Sequence, residues 1–308
     1  MNGPLRLFLL CLLGLLVSKM SEAGLKKDAE YDAFVVSYGG SGCTSTIKRV
    51  AESHGSPPAP RLRVNVFNNN DRVKHAYPEA VLAKTPRLTY GIVYVFGNMT
   101  NAVKSLCRRH FMRTQISLMA GDGHWADAQT YAPFPTEHPH VTRPLFRKKP
   151  KWEEQEDWNV SAALPPNGAP RVVRLRRVLA QAGKVSGQEP IGLWRHFHAW
   201  RTAAESGQFP YSILFVNIAT TGNPDYPTYH KLKHFSNATV DPGSKVLYHP
   251  TRRKGGDVLD MAVGGARGEE RAAVLSGVRQ YDAWTREMSG YDGRFFPGKG
   301  QAAPAWAL

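Results

Sequence analysis

The sequence predicts an α/β fold with a mostly parallel sheet, and three observations carry that expectation. Short continuous apolar runs stand at 33–37, 90–96 and 211–218. They are apolar at successive positions rather than at alternate ones, the pattern of strands buried on both faces. Segments with helical periodicity stand between them, and strands alternating with helices imply parallel pairing through crossovers. Finally, a glycine-rich turn joins the first run to the helical segment that follows it.

Taken in order, residues 25–31 are a polar lead-in and Ala33–Ser37 is the first strand. Tyr38-Gly39-Gly40-Ser41-Gly42 is the turn, and Thr44–Ser53 the helix opening on it. His54–Pro60 ends that helix, because its prolines cannot continue the hydrogen-bond ladder. Leu62–Phe67 is the second strand and Pro78–Ala83 a short helix. Tyr90–Phe96, aromatic and β-branched, is the clearest strand. Asn101–Phe111 follows as a helix, with Ala102, Val103, Leu106 and Cys107 at helical spacing. The span of about 112–189 is rich in proline and in charge runs, and reads as a long loop-rich insertion. Within it only Val172–Ala182 has a regular pattern, that of a basic helix. Ile191–Ser206 is a helix whose apolar face is Ile191, Trp194, Phe197, Trp200 and Ala204. Tyr211–Ile218 is a further buried strand, and Pro224–Asn237 is helical in part. Arg267–Met288 is the last helix, with Val274, Val278, Tyr281, Trp284 and Met288 on one face.

Composition bounds the function. Of 308 residues, 42% are apolar and 21% charged, which excludes a disordered chain, a collagen-like fibre and a disulfide-stapled module. The formal net charge of +15 favours anionic partners. Leu7–Val17 is an 11-residue apolar run behind one positive charge, too short to span a bilayer, which takes about 20 residues. With the small-residue tail Ser21-Glu22-Ala23-Gly24 it reads as a signal peptide over 1–24. An uncleaved signal-anchor is the rival reading. Either places residues 25–308, one domain, in the secretory lumen, in the Golgi or secreted. Sequons at Asn98, Asn159 and Asn237 agree with a glycoprotein. Beyond Cys11, only Cys43 and Cys107 remain; a bridge between them and two free thiols are both open.

Backbone N–H groups at a glycine-rich turn, aided by the helix dipole, make an anion site. Set against the nucleotide phosphate loop G-x-x-x-x-G-K-[ST], Gly42 and Thr44 align, but Cys43 stands where the lysine belongs and Ser37 where the first glycine belongs. The cradle is kept and the lysine that reaches the outer phosphates is not, which argues against ATP or GTP hydrolysis. The histidines give no metal site: His196 and His198 point about 200° apart on a helix, and Glu137-His138-Pro139-His140 lacks a second half.

Ser37-Tyr38-Gly39-Gly40-Ser41-Gly42-Cys43-Thr44 resembles the 5′-phosphosulfate loop of the P-loop sulfotransferases. Val93–Arg109 resembles their 3′-phosphate strand–helix segment, closest to a poorly characterised subgroup with glycine in that motif. Gly192–Trp200 resembles the helix that follows, and Tyr211–Val216 a later strand. The likeness covers about 33–111 and 189–290. It implies a three-layer sulfotransferase-like fold carrying a long loop-rich insertion. It also implies a sulfate donor, 3′-phosphoadenosine-5′-phosphosulfate (PAPS), no metal, and a hydroxyl or amine acceptor on a glycan, a small molecule or another secreted acceptor. By the same resemblance the donor contacts are Gly39, Gly40, Ser41, Gly42, Cys43, Thr44 and Ser45 for the 5′ end. For the 3′ end they are Ser105, Arg109 and the basic loop Arg253, Lys254 and Gly255. The catalytic base is assigned to His75 in Lys74-His75-Ala76-Tyr77-Pro78, one position ahead of the family's histidine, whose place Ala76 takes. Gly40 stands where the family has a lysine or arginine, and Gly97 where it has an arginine. A non-catalytic binder of a phosphonucleotide or acidic glycan is therefore the alternative. A nucleic-acid-binding protein is suggested by charge alone, without a recognisable motif.

Overall fold

A computed structural model describes residues 30–39, 75–108, 171–184, 189, 191–236 and 258–308. The first helix (44–53), the strand at 62–67, the leader and most of the insertion lie outside the described residues. The elements run β1 (Glu30–Ser37), α1 (Pro78–Lys84), β2 (Arg87–Phe96), α2 (Met99–Arg108), α3 (Arg171–Lys184), α4 (Leu193–Glu205) and β3 (Ile213–Asn217). They continue through α5 (Pro227–Phe235), α6 (Val258–Gly264), α7 (Gly268–Ser289) and β4 (Phe295–Phe296) to a closing 3₁₀ turn, Ala305–Ala307. The fold is α/β. Its described strands form an open sheet of four in the order β1-β2-β3-β4, with β1, β2 and β3 parallel and the two-residue β4 antiparallel.

The apolar runs behave as their composition requires. Phe34, Val36, Ile92, Tyr94, Ile213 and Phe215 share one face by register, and Val35, Val93, Val95, Leu214 and Val216 the other; all are fully buried. The aromatic face packs on α4, where the Phe197 ring meets Tyr94, Phe96 and Phe215 at centroid distances of 5.8, 5.9 and 5.9 Å. Both β1 and β2 begin three residues before the expected positions. Arg87 pairs with Glu30 (3.4 Å) and the Thr89 hydroxyl donates to Asp32 (3.2 Å), so exposed polar pairs extend a ladder that hydropathy does not register. The short strand β4 and the helix α6 were not expected from the sequence.

The basic helix expected inside the insertion spans α3 and belongs to the core. Leu175, Val178 and Leu179 are fully buried, and α3 packs along α7. The crossing is close because each helix offers a glycine there. A methyl group on Gly277 would overlap the Leu179 carbonyl oxygen, and one on Gly183 the Ala273 carbonyl oxygen. The described part of the 112–189 span, at its end, therefore packs into the domain.

The paired glycines set up a test in which two effects oppose. Alanine is favoured over glycine in a helix by about 1 kcal/mol, whereas forcing atoms into a packed contact costs about 1–3 kcal/mol. Gly277→Ala should lower the unfolding free energy measured in urea, since the contact is with backbone that cannot yield. Gly264→Ala, where an added methyl meets nothing within 4 Å, should leave stability equal or higher.

Candidate functional site

In an open parallel sheet, ligands bind beyond the carboxyl ends of the strands. Those ends are Ser37-Tyr38-Gly39 after β1, Gly97-Asn98 after β2 and Ile218-Ala219 after β3. Tyr38 ties the first two together: its buried hydroxyl donates to the Gly97 carbonyl (2.5 Å) and accepts from the Gly97 N–H (2.8 Å). Burial raises the Tyr38 pKa far above that of a free phenol, so it acts as a neutral strut. A methyl group on Gly97 would come within 2.9 Å of Ile218 Cγ2, so a side chain there requires Ile218 to shift. Among the described residues the Ser37 hydroxyl, fully buried at the root of the turn, has no hydrogen-bond partner.

His75 sits in a turn against the end of β1 and is 3% exposed. Its Nδ1 lies 2.5 Å from the Ser37 carbonyl oxygen. A carbonyl only accepts, so this contact calls for a proton on Nδ1. The Gly39 N–H also points at Nδ1, at 3.2 Å, and would need that nitrogen as acceptor; the shorter contact with the Ser37 carbonyl outweighs it. The turn itself is held from α4. His196 Nε2 lies 3.2 Å from both the His75 and the Ala76 carbonyl oxygens, and Trp200 Nε1–H donates to Ala76 at 2.9 Å. Nε2 therefore carries the His196 proton, and Nδ1 accepts from the Tyr94 hydroxyl (3.0 Å). Tyr77 packs edge-on to the His196 ring at 4.7 Å. Burial pushes the His196 pKa down to about 3, helped by the neighbouring His75. Burial raises the Tyr77 pKa to about 12, against the opposing pull of Arg195, which hydrogen-bonds to it.

The start of α4 is fixed by Glu189. Its carboxylate accepts from the N–H groups of Ile191 (3.0 Å) and Trp194 (3.2 Å) and from the Tyr281 hydroxyl of α7 (2.7 Å). The Trp194 N–H is one of the orphan donors of the helix N-terminus, and the Ile191 N–H lies just ahead of it. Burial raises the carboxyl above its usual range despite those bonds. Trp194 stacks on Trp284 at 5.9 Å, a second tie between α4 and α7.

Of the residues predicted from sequence, the described ones are His75, Gly39 and Ser105. His75 and Gly39 meet at the end of β1. Ser105 lies partly buried on α2, well past its cap, where Asn98 Oδ1 accepts from the Asn101 N–H (2.8 Å) and Thr285 Oγ1 from the Met99 N–H (3.0 Å). The first turn of α2 is thus satisfied from within the fold. Gly40, Ser41, Gly42, Cys43, Thr44, Ser45, Arg109, Arg253, Lys254 and Gly255 lie outside the described residues. Cys107 is a free thiol whose pKa burial pushes up to about 12, with Arg174 and Arg171 opposing the shift. Among the described residues no group of three or more His, Cys, Asp or Glu side chains is placed to hold a metal.

Sequence reasoning missed His196 and Glu189. The buried face of α4 is Leu193, His196, Phe197, Trp200 and Ala204. It is turned by one residue from the expected face, and Trp194 lies at its edge, partly buried. Counting His196 as apolar would have found it, since positions 193, 196, 197, 200 and 204 follow the i, i+3, i+4, i+7, i+11 pattern.

A histidine buried neutral couples stability to pH. Below pH 6.5 the unfolded chain binds a proton at His196 that the folded chain refuses until about pH 3, so stability falls as pH falls through that window. His196→Gln keeps an amide donor and does not titrate. Glu189 is common to both proteins and cancels in the comparison. The stability of the native chain relative to the variant should drop by about 1.4 kcal/mol per pH unit between those limits; parallel pH profiles in chemical denaturation would refute the assignment.

No family model matches the sequence, no curated protein matches it, and no solved structure matches the fold.

Proposed function

We propose that the chain is a PAPS-dependent sulfotransferase of the secretory pathway, with the P-loop sulfotransferase architecture and a glycan or other secreted hydroxyl or amine as acceptor. The observation that carries the reading is the meeting of two sequence motifs at one place. His75 comes from the segment resembling the family's base, and it hydrogen-bonds to the strand end from which the phosphosulfate-type loop departs. The orphaned Ser37 hydroxyl at the root of that loop fits a cradle that takes a polar ligand. The net charge of +15 suits an anionic donor.

The chemistry asks little of the protein. His75 Nε2 takes the proton from the acceptor hydroxyl. The acceptor oxygen bonds to sulfur, and the bond from sulfur to the 5′-phosphate oxygen breaks, leaving its electron pair on the phosphate. Amides of residues 41–44 and the Thr44 hydroxyl then hold that charge. Gly40 supplies none, and Gly97 supplies no cation for the 3′ phosphate. The 3′-phosphate role falls to Ser105, Arg109 and the loop of Arg253, Lys254 and Gly255.

The burial of His75, at 3% exposed, favours a second reading: a non-catalytic member of the fold that binds a phosphonucleotide or an acidic glycan. Transfer of radiolabelled sulfate from PAPS to a glycan panel separates the two. The enzyme reading expects transfer that falls about 10²- to 10⁴-fold in His75→Ala, the usual contribution of a general base, and that rises in Gly40→Lys. No transfer to any acceptor, with donor binding intact, selects the binder.

A further inference from the structure

The described residues hold one buried polar cluster whose cost needs an explanation, and it faces the turn that carries His75. His196 is fully buried in an otherwise apolar helix face and is kept neutral there. An apolar residue would fill the same space without a polar group to desolvate. What the imidazole adds is a donor aimed at two carbonyl oxygens, those of His75 and Ala76, at 3.2 Å each. Trp200, one turn further along α4, adds a second donor to Ala76 at 2.9 Å. The Tyr94 hydroxyl of β2 fixes the His196 tautomer from the other side. Sheet, helix and turn thereby form one hydrogen-bonded chain that includes the His75 ring, whose Nδ1 rests on the Ser37 carbonyl.

We infer that His196, supported by Trp200, is a positioning residue: by holding the carbonyls of His75 and Ala76 it sets the His75 ring against the end of β1 with the proton on Nδ1 and the basic nitrogen on Nε2. The inference rests on the proposed role of His75 for its functional meaning, but its test does not. A residue that only fills space acts on stability alone. A positioning residue acts on the tautomer of another ring.

The test is long-range ¹H–¹⁵N NMR of the histidine imidazoles in the full chain at mildly alkaline pH, with His75 and His196 assigned by substitution. The native chain should show His75 protonated at Nδ1 and His196 at Nε2. His196→Gln, whose amide nitrogen replaces the Nε2 donor, should leave His75 unchanged. His196→Leu should release it, so that the Nδ1–H form no longer dominates. Trp200→Phe removes the second donor and serves as a further probe should His196→Leu not fold. A native His75 protonated at Nε2 would overturn the inference, as would a folded His196→Leu or Trp200→Phe in which His75 keeps its tautomer. Sulfate transfer is read separately: its absence in the native chain sinks the donor reading and leaves the tautomer result standing.

Discussion

The arrangement depends on a constraint at the carboxyl edge of the parallel sheet. The turn at 75–77 lies buried there, and its carbonyl groups are shut away from water. A buried carbonyl without a donor costs about 1–3 kcal/mol. Two side chains of α4, His196 and Trp200, provide the donors. The need to satisfy that backbone explains why a histidine and the indole of a tryptophan occupy positions where leucine would pack as well.

For those donors to be aimed, α4 must itself be held. Its amino end is capped by Glu189, and the same carboxylate accepts from Tyr281 on α7. The stack of Trp194 on Trp284 repeats the link. In turn α7 is seated on α3 through the glycine crossing. A helix that the sequence places in a loop-rich span is thus mechanically joined, through α7 and α4, to the turn that presents His75. The chain of contacts runs from packing to hydrogen bonds to a single imidazole.

Much of the fold was legible because its signals were strong and local. The runs around Ala33–Ser37 and Tyr90–Phe96 are apolar without interruption, and each is a strand buried on both faces. Pro78 marks the start of α1, and the periodicity of 274, 281, 284 and 288 marks the buried face of α7. Strand beginnings were not legible, because Glu30, Arg87 and Thr89 extend the ladder through exposed polar pairs. The membership of α3 in the core was obscured by its arginines, which flank a narrow apolar stripe. At the site, His75 was singled out by its motif, and the structure places it against the end of β1. His196 and Glu189 were not singled out, because their roles are set by the three-dimensional closeness of backbone groups far away in sequence. Tyr38 joins residues 59 positions apart, and nothing local in the sequence announces such a pairing.

The glycine at position 97 has a structural role of its own. Gly97 is closed in by Ile218 and bonded through its own N–H and carbonyl to Tyr38, so it is a joint between β1 and β2 rather than an arginine site emptied of charge. The central claim is that the turn leaving β1 cups the phosphate end of an adenosine-based sulfate carrier. Calorimetric titration of the full chain with 3′-phosphoadenosine-5′-phosphate tests it most directly. The account predicts saturable one-to-one binding that PAPS displaces and that adenosine does not. A flat titration, with the protein shown to be folded, would contradict it.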